Sequence, residues 1–248
     1  MSAPALSRVH VAHADAWQVE GRLRAPHGGG ALEVRGLRLM ASGLAGPQWN
    51  SGDVTAPDAD LAAARAFYAA RGTAWGLRVP AGMAWRHGRR LKTLRLMAVE
   101  GDAFAPAPVP RGVTIRAAGR DDLETVLAID AEAFGEDPDE ERGWIAPRLG
   151  AAGIATALAT LDGDPVGTGL AVRTDDRAGP ALYVAGVAVA AGARRRGVGA
   201  AISSWLVAGG LEAGARLAHL HADNETAARV YARLGFAEAP GLDIYVDL

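Results

Sequence analysis

Residues 181–236 read ALYVAGVAVAAGARRRGVGAAISSWLVAGGLEAGARLAHLHADNETAARVYARLGF, and the order of elements in this stretch decides the fold. The apolar run 182–189 predicts a buried strand, and Gly186 inside it marks a place for a bulge. Next, Arg194-Arg195-Arg196-Gly197-Val198-Gly199-Ala200 predicts a glycine-rich turn that opens a helix ending near Gly209-Gly210. Residues 217–222 predict a second strand. Asp223-Asn224 starts a last helix, which carries Tyr231 and stops at Gly235-Phe236.

A turn that enters a helix has direct chemical use. The first backbone N–H groups have no intrahelical partner, and the helix dipole places partial positive charge there. Gly197 and Gly199 bring no side chain to keep an anion away, and the three neighbouring arginines offer cationic forks. The expected site is an anion cradle of pyrophosphate size. It is not a P-loop, because no Gly-Lys-Ser/Thr follows, and Gly197-Val198-Gly199-Ala200-Ala201-Ile202 fails the dinucleotide fingerprint at its last position.

The loop resembles the Arg/Gln-x-x-Gly-x-Gly/Ala loop of the GNAT superfamily of acyl-CoA-dependent N-acyltransferases, here Arg194-x-x-Gly197-x-Gly199. Downstream, Asn224, Ala227, Tyr231 and Gly235-Phe236 resemble that family's closing segment. Alone, the loop would read equally well as a solvated basic corner; strand, loop, helix, strand, Asn, Tyr and Gly-Phe together carry the resemblance.

The resemblance implies an α/β fold of the α+β type: a mixed, mostly antiparallel sheet flanked by helices. The implied reaction moves an acetyl group from acetyl-CoA to a primary amine by direct attack, without a metal. It gives Val187, Ala188 and Val189 main-chain contacts to the acyl-CoA, one N–H facing the developing oxyanion. Arg194, Arg195, Arg196, Gly197, Val198, Gly199 and Ala200 would hold the pyrophosphate, with Arg195 or Arg196 alternatively on the ribose phosphate. Asn224 and Ala227 would meet the pantetheine, although an Asn here is also an ordinary N-cap. Tyr231 would protonate the leaving thiolate, against the plainer reading of a core tyrosine.

No general base is evident, since residues 182–189 contain no acid. His219, His221, Glu132 and Glu136 are options, as is a water chain. The acceptor would be a small-molecule or peptide amine. A non-catalytic acyl-CoA-binding module is the alternative from another class, and an unrelated nucleotide-binding domain is a third.

Composition bounds the rest. The 248 residues suit one large or two small domains, and 50% are apolar, much of that alanine. A net charge of -2 announces neither a nucleic-acid nor a membrane partner, and the lack of cysteine excludes disulfides and thiolate metal sites. Neither His10 with His13 nor His219 with His221 has a completing ligand set in the sequence. No signal-peptide pattern opens the chain, which sets cytoplasmic localisation as the expectation, with a monomer or homodimer.

Upstream, residues 31–40 alternate as one strand, Pro57-Asp58-Ala59-Asp60 starts a helix over 61–70, and 73–79 and 91–99 read as strands, with loop or a short helix between. This is a shortened echo of the C-terminal half, so residues 1–103 are expected to form a degenerate GNAT-like unit. Its corresponding loop, 50–57, carries Asp53, which would repel a pyrophosphate. The prolines of residues 104–111 make the linker, and 112–248 form the acetyltransferase unit, with a strand at 113–116, a helix from Arg120 burying Phe134, an acidic turn at 135–141, a short helix at Trp144, and strands 154–161 and 166–172 joined by a hairpin turn.

Overall fold

The computed structural model describes residues 6–248 as two compact units. The first holds the chain up to Leu96 together with Asp175–Gly179 and Glu238–Leu248; the second holds Met97–Thr174 and Pro180–Ala237.

The first unit opens with helix α1 (Arg8–Arg24), capped by Ser7, whose Oγ accepts from the His10 N–H at 3.3 Å. Apolar periodicity does not reveal this helix, because much of its buried surface is polar. Gln18 donates to the Leu39 carbonyl at 2.8 Å, Asp15 pairs with Arg38, and Glu20 pairs with Arg24 one turn on. Strands β1 (Gly30–Val34) and β2 (Leu37–Ala41) follow. The single strand expected over 31–40 is therefore a hairpin, in register from Gly30↔Ala41 to Val34↔Leu37, with Gly36 at φ +70° in its turn.

Strand β3 (Ser51–Val54), helix α2 (Leu61–Ala69) and strand β4 (Gly76–Pro80) make a parallel crossover. Half of the expected loop at 50–57 is thus strand, and Asp53 is buried in it, paired with Arg78. The helix start is instead occupied by Asp60, whose carboxylate accepts from the Ala63 N–H at 3.0 Å. A negative charge sits where an anion cradle would need open N–H groups. Leu37, Leu39, Phe67, Tyr68 and Leu77 form this unit's core.

Strand β5 (Arg89–Glu100) belongs to the first unit through Leu96 and to the second from Met97. The change of unit therefore falls within a strand, ahead of the expected linker at 104–111. The proline-rich segment is packed within the second unit: the Ala105 N–H donates to the Leu234 carbonyl at 3.0 Å and the Ala107 N–H to Ser204 Oγ at 2.8 Å.

In the second unit come β6 (Val113–Ala117), helices α3 (Leu123–Phe134) and α4 (Pro138–Ile145), and strands β7 (Ile154–Leu161), β8 (Asp164–Asp176) and β9 (Gly179–Val189). Two expectations change here. Phe134 is 45% exposed rather than buried. The acidic run is no plain turn: Asp137 caps α4 and Pro138 takes its first position, so the helix starts within it. Asp162 and Gly163, both at positive φ (53° and 98°), form the tight turn joining β7 to β8. Helix α5 (Val198–Glu212) crosses to β10 (Leu217–His221), parallel to β9; α6 (Glu225–Arg233) and β11 (Ala237–Val246) close the fold.

Strand order is β1-β2-β3-β4-β11 in the first unit and β10-β9-β8-β7-β6 in the second. Both units contain a parallel strand–helix–strand crossover, and most other pairs are antiparallel. Among the described residues no helix is long and apolar enough to cross a membrane.

Candidate active site

The site is built on β9, β10 and the helix that joins them. Leu182, Val184, Ala218 and Leu220 of the strands and Ile202 and Leu206 of α5 are buried together, which fixes the crossover. The parallel register runs from Leu217↔Ala181 to Leu220↔Val184. Two residues further along β9, Gly186 takes φ +57°, a left-handed value within a strand and the signature of a bulge. Its added Cβ would meet only Leu170 at 3.7 Å, so the conformation rather than crowding calls for glycine. Val187, Ala188 and Val189 lie beyond that point and beyond the register with β10.

The turn after β9 is left-handed twice, at Arg195 (φ +60°) and Gly197 (φ +83°). A non-glycine residue there is uncommon and marks a held conformation. The first intrahelical bond of α5 is from Ala201 N–H to Gly197 O, 3.0 Å, so the N–H groups of Val198, Gly199 and Ala200 precede the helical ladder. At Gly199 an added Cβ would lie 3.6 Å from Val189 and 3.9 Å from Val187, which places the start of the helix against the β9 segment.

The three arginines divide their roles. Arg194 lies along the surface against main-chain carbonyls: Nε donates to the Val189 carbonyl at 3.0 Å and Nη2 to the Ala133 carbonyl at 3.5 Å. It braces the loop through its side chain, and Arg194, Arg195 and Arg196 are all exposed. A second brace is Glu132, whose carboxylate accepts from the Ala191 N–H at 2.8 Å.

Asn224 caps α6, accepting from the Ala227 N–H at 3.0 Å, so its carbonyl oxygen serves the helix and its amide N–H₂ faces outward from that bond. On the same helix, the Tyr231 ring lies 5.9 Å from that of Phe236. Burial pushes the phenol up to about 12, aided by the Asp223 carboxylate and opposed by a hydrogen bond with Ser203. Tyr231 therefore keeps its proton across the working pH range. Ser203 in turn donates to the Gly199 carbonyl at 2.9 Å, linking the tyrosine to the cradle helix. Sequence reading passed over Ser203; the available signal was a pair of serines, Ser203 and Ser204, on the buried side of an apolar helix.

The base candidates fare differently. His219 is fully buried and stacks on Tyr183 at 5.2 Å. His221 sits 3.5 Å from Asp223. Glu132 is engaged by Ala191. Glu136 joins Asp130 and Glu141 in a group whose ligand atoms lie within 4.8 Å of one another, a geometry that could hold a metal ion. Burial first, and then Glu136, push Glu141 up to about 8; burial pushes Asp130 up to about 6, opposed by Arg148.

The sign of the resulting pH dependence follows from that shift. A carboxyl raised above its ordinary value contributes stability that is fully present below about pH 4.5 and is lost as pH rises through about 8. Glu141→Gln is therefore expected to flatten the stability profile between these limits and to raise Tm at pH 8. Thermal melts of both proteins across that range check this, and parallel profiles would contradict it.

No curated relative matches the sequence. Among solved structures, a GCN5-related N-acetyltransferase from Kribbella flavida superposes with a TM-score of 0.69 at 22% identity, covering 95% of each chain. A functionally unknown conserved protein from Staphylococcus epidermidis gives 0.64 at 16% identity, covering 88% of this chain and 93% of its own. A tandem GNAT protein from the clavulanic acid biosynthesis pathway gives 0.56 at 16% identity, covering 84% and 77%. At these identities the likeness concerns fold. The profile of the Acetyltransferase (GNAT) family matches residues 121–236, the span that contains β9, the start of α5 and Tyr231. Residues 121–236 belong to the Acetyltransferase (GNAT) family, whose reaction is acyl transfer from acyl-CoA.

Proposed function

We propose that this protein transfers an acetyl group from acetyl-CoA to a primary amine by direct attack. The observation that carries the reading is the juxtaposition of a strand segment outside the β9–β10 register with a helix start whose N–H groups precede the ladder. Acetyl-CoA would supply an activated thioester carbonyl; the chain supplies position, charge and a proton.

In this reading Val198, Gly199 and Ala200 donate N–H bonds to the pyrophosphate, Arg195 and Arg196 add charge, and Gly197 keeps the approach clear. Main-chain groups of Val187, Ala188 and Val189 bond the pantetheine arm, and one N–H there faces the oxygen on which charge develops. The amide N–H₂ of Asn224, together with Ala227, lines the arm from the other side. Attack forms the N–C bond and breaks the C–S bond; the amine loses a proton to water, and Tyr231 gives its own to the sulfur. The N-terminal unit is a degenerate relative, its cradle blocked by Asp60. The acceptor is a small-molecule or peptide amine.

The test is calorimetric titration of acetyl-CoA, followed by thiol release with a panel of amines. Binding without any turnover above the uncatalysed rate would leave a binding module in place of an enzyme. Absence of binding to folded protein would remove the reading altogether. With an accepted amine in hand, Tyr231→Phe should lower kcat by roughly 100-fold and leave the acetyl-CoA affinity unchanged. An unaltered kcat would return Tyr231 to the core.

A further inference from the structure

The first unit contains a pocket of about 300 Å³ that the acyl-transfer site does not use. Val54, Thr55 and Pro80 place it at the carboxyl ends of the parallel strands β3 and β4, a usual location for ligands in α/β sheets. Ala14, Val54 and Leu242 supply an apolar wall, and the polar groups are His10, Arg38, Asp53 and Arg177.

Each polar group has a defined capacity left over. His10 Nε2 lies 2.8 Å from the Pro240 carbonyl and 3.0 Å from the Gly241 carbonyl, so it carries the ring proton. Nδ1 is then an acceptor, and it is buried without a partner among the described residues. Arg38 spends Nη1 on Asp15 and Nη2 on Asp176, while its Nε–H is likewise buried without a partner. Asp53 Oδ1 accepts from both Arg78 and His13, but Oδ2 accepts from Arg78 alone, which leaves it a lone pair. Arg177 is half-exposed and tied to Glu33 by a surface pair, so it can turn to a ligand. Buried polar atoms are rarely left unsatisfied without reason.

Charge narrows the ligand further. Arg38, Arg78 and Arg177 stand against Asp15, Asp53, Asp176 and Glu33, one negative charge in excess. A simple anion is therefore disfavoured, although two guanidinium groups reach the wall. A group with both charges satisfies both requirements.

The geometry points to a binding site for a free α-amino acid with an apolar side chain. Its ammonium donates to His10 Nδ1 and Asp53 Oδ2, its carboxylate accepts from Arg38 Nε and Arg177, and its side chain packs on Ala14, Val54 and Leu242. The assignment is independent of the acyl-transfer reading.

The test is calorimetric titration of the full-length protein with leucine, isoleucine, valine and methionine as probes. At least one should bind saturably. The matching 2-hydroxy acid and the matching decarboxylated amine should bind at least tenfold more weakly. Arg177→Ala should weaken binding at least tenfold, and Ala14→Leu, which fills the pocket, should abolish it. Gly199→Glu, in the other unit, should leave it unchanged, so failure of the two sites is read separately. If Ala14→Leu does not fold, the Arg177→Ala titration decides. No saturable binding by any of the four up to about 10 mM, far above ordinary ligand affinities, overturns the site. So does binding that Arg177→Ala leaves intact, and equal binding of the hydroxy acid overturns the ammonium assignment.

Discussion

Gly199→Glu should cut acyl-CoA affinity by at least about 100-fold while leaving the protein as stable as before, since the cradle works through open N–H groups and positive potential. The position allows this separation. Gly199 is in the first turn of α5 with ordinary backbone angles, and its added Cβ would find only van der Waals contacts at 3.6 and 3.9 Å. A glutamate in a first helical turn favours the helix dipole, yet it places a carboxylate where the pyrophosphate belongs. Gly197→Glu is the less clean experiment. It forces a side chain onto φ +83° and a Cβ to 3.1 Å from Pro110, so lost binding would be mixed with strain. Calorimetric titration with acetyl-CoA and a thermal melt of the same Gly199→Glu preparation check both halves. Retained affinity would place the cofactor elsewhere.

The second large effect is structural. Asp53→Asn should cost about 3–5 kcal/mol, because it leaves the Arg78 guanidinium buried without its counter-charge. Arg78 meets Asp53 in a two-bond fork, 2.9 Å from Nε and 2.8 Å from Nη2, and stacks over Trp17 at 3.9 Å. Burial alone would raise the Asp53 carboxyl, but Arg78 first and His13 next outweigh it and hold the carboxyl well below the usual range. The folded value lies below the unfolded one, so the contribution is complete above the unfolded value near 3.9 and fades as pH falls beneath it. Tm at pH 7 should drop by on the order of 10 °C, and the gap between wild type and variant should narrow from about pH 5 downward. A variant that melts within 2 °C of wild type, roughly the effect of 1 kcal/mol, would show that the pair is not structural.

What could be read beforehand divides along a physical line. The left-handed Gly186, the helix start at Val198 and the Asn224 cap are legible because they are local: each depends on neighbours a few residues away. Helix α1 was not, because Asp15, Gln18 and Glu20 look like surface residues until Arg38, Leu39 and Arg24 are placed beside them. By type Arg194 reads as an anion ligand, and its distance to Val189 adds a brace of the loop that type does not show. Ser203 owes its role to Tyr231 on another helix. The prolines of residues 104–111 suggest a boundary by composition, whereas the compact units change between Leu96 and Met97 and the first takes back residues 238–248.

That return sets a timetable for synthesis. In the first unit, β4 pairs with β11, Leu242 lying opposite Pro80, and His10 near the start of α1 bonds the carbonyls of Pro240 and Gly241. Domains ordinarily fold in turn from the N-terminus as the ribosome extends them. Here the earlier unit must wait with an unpaired strand edge until residues 238–248 have emerged, by which time the second unit is almost entirely made. The edge of nascent β4 is thus exposed while residues 81–237 are made, the interval in which a chaperone would be of greatest use.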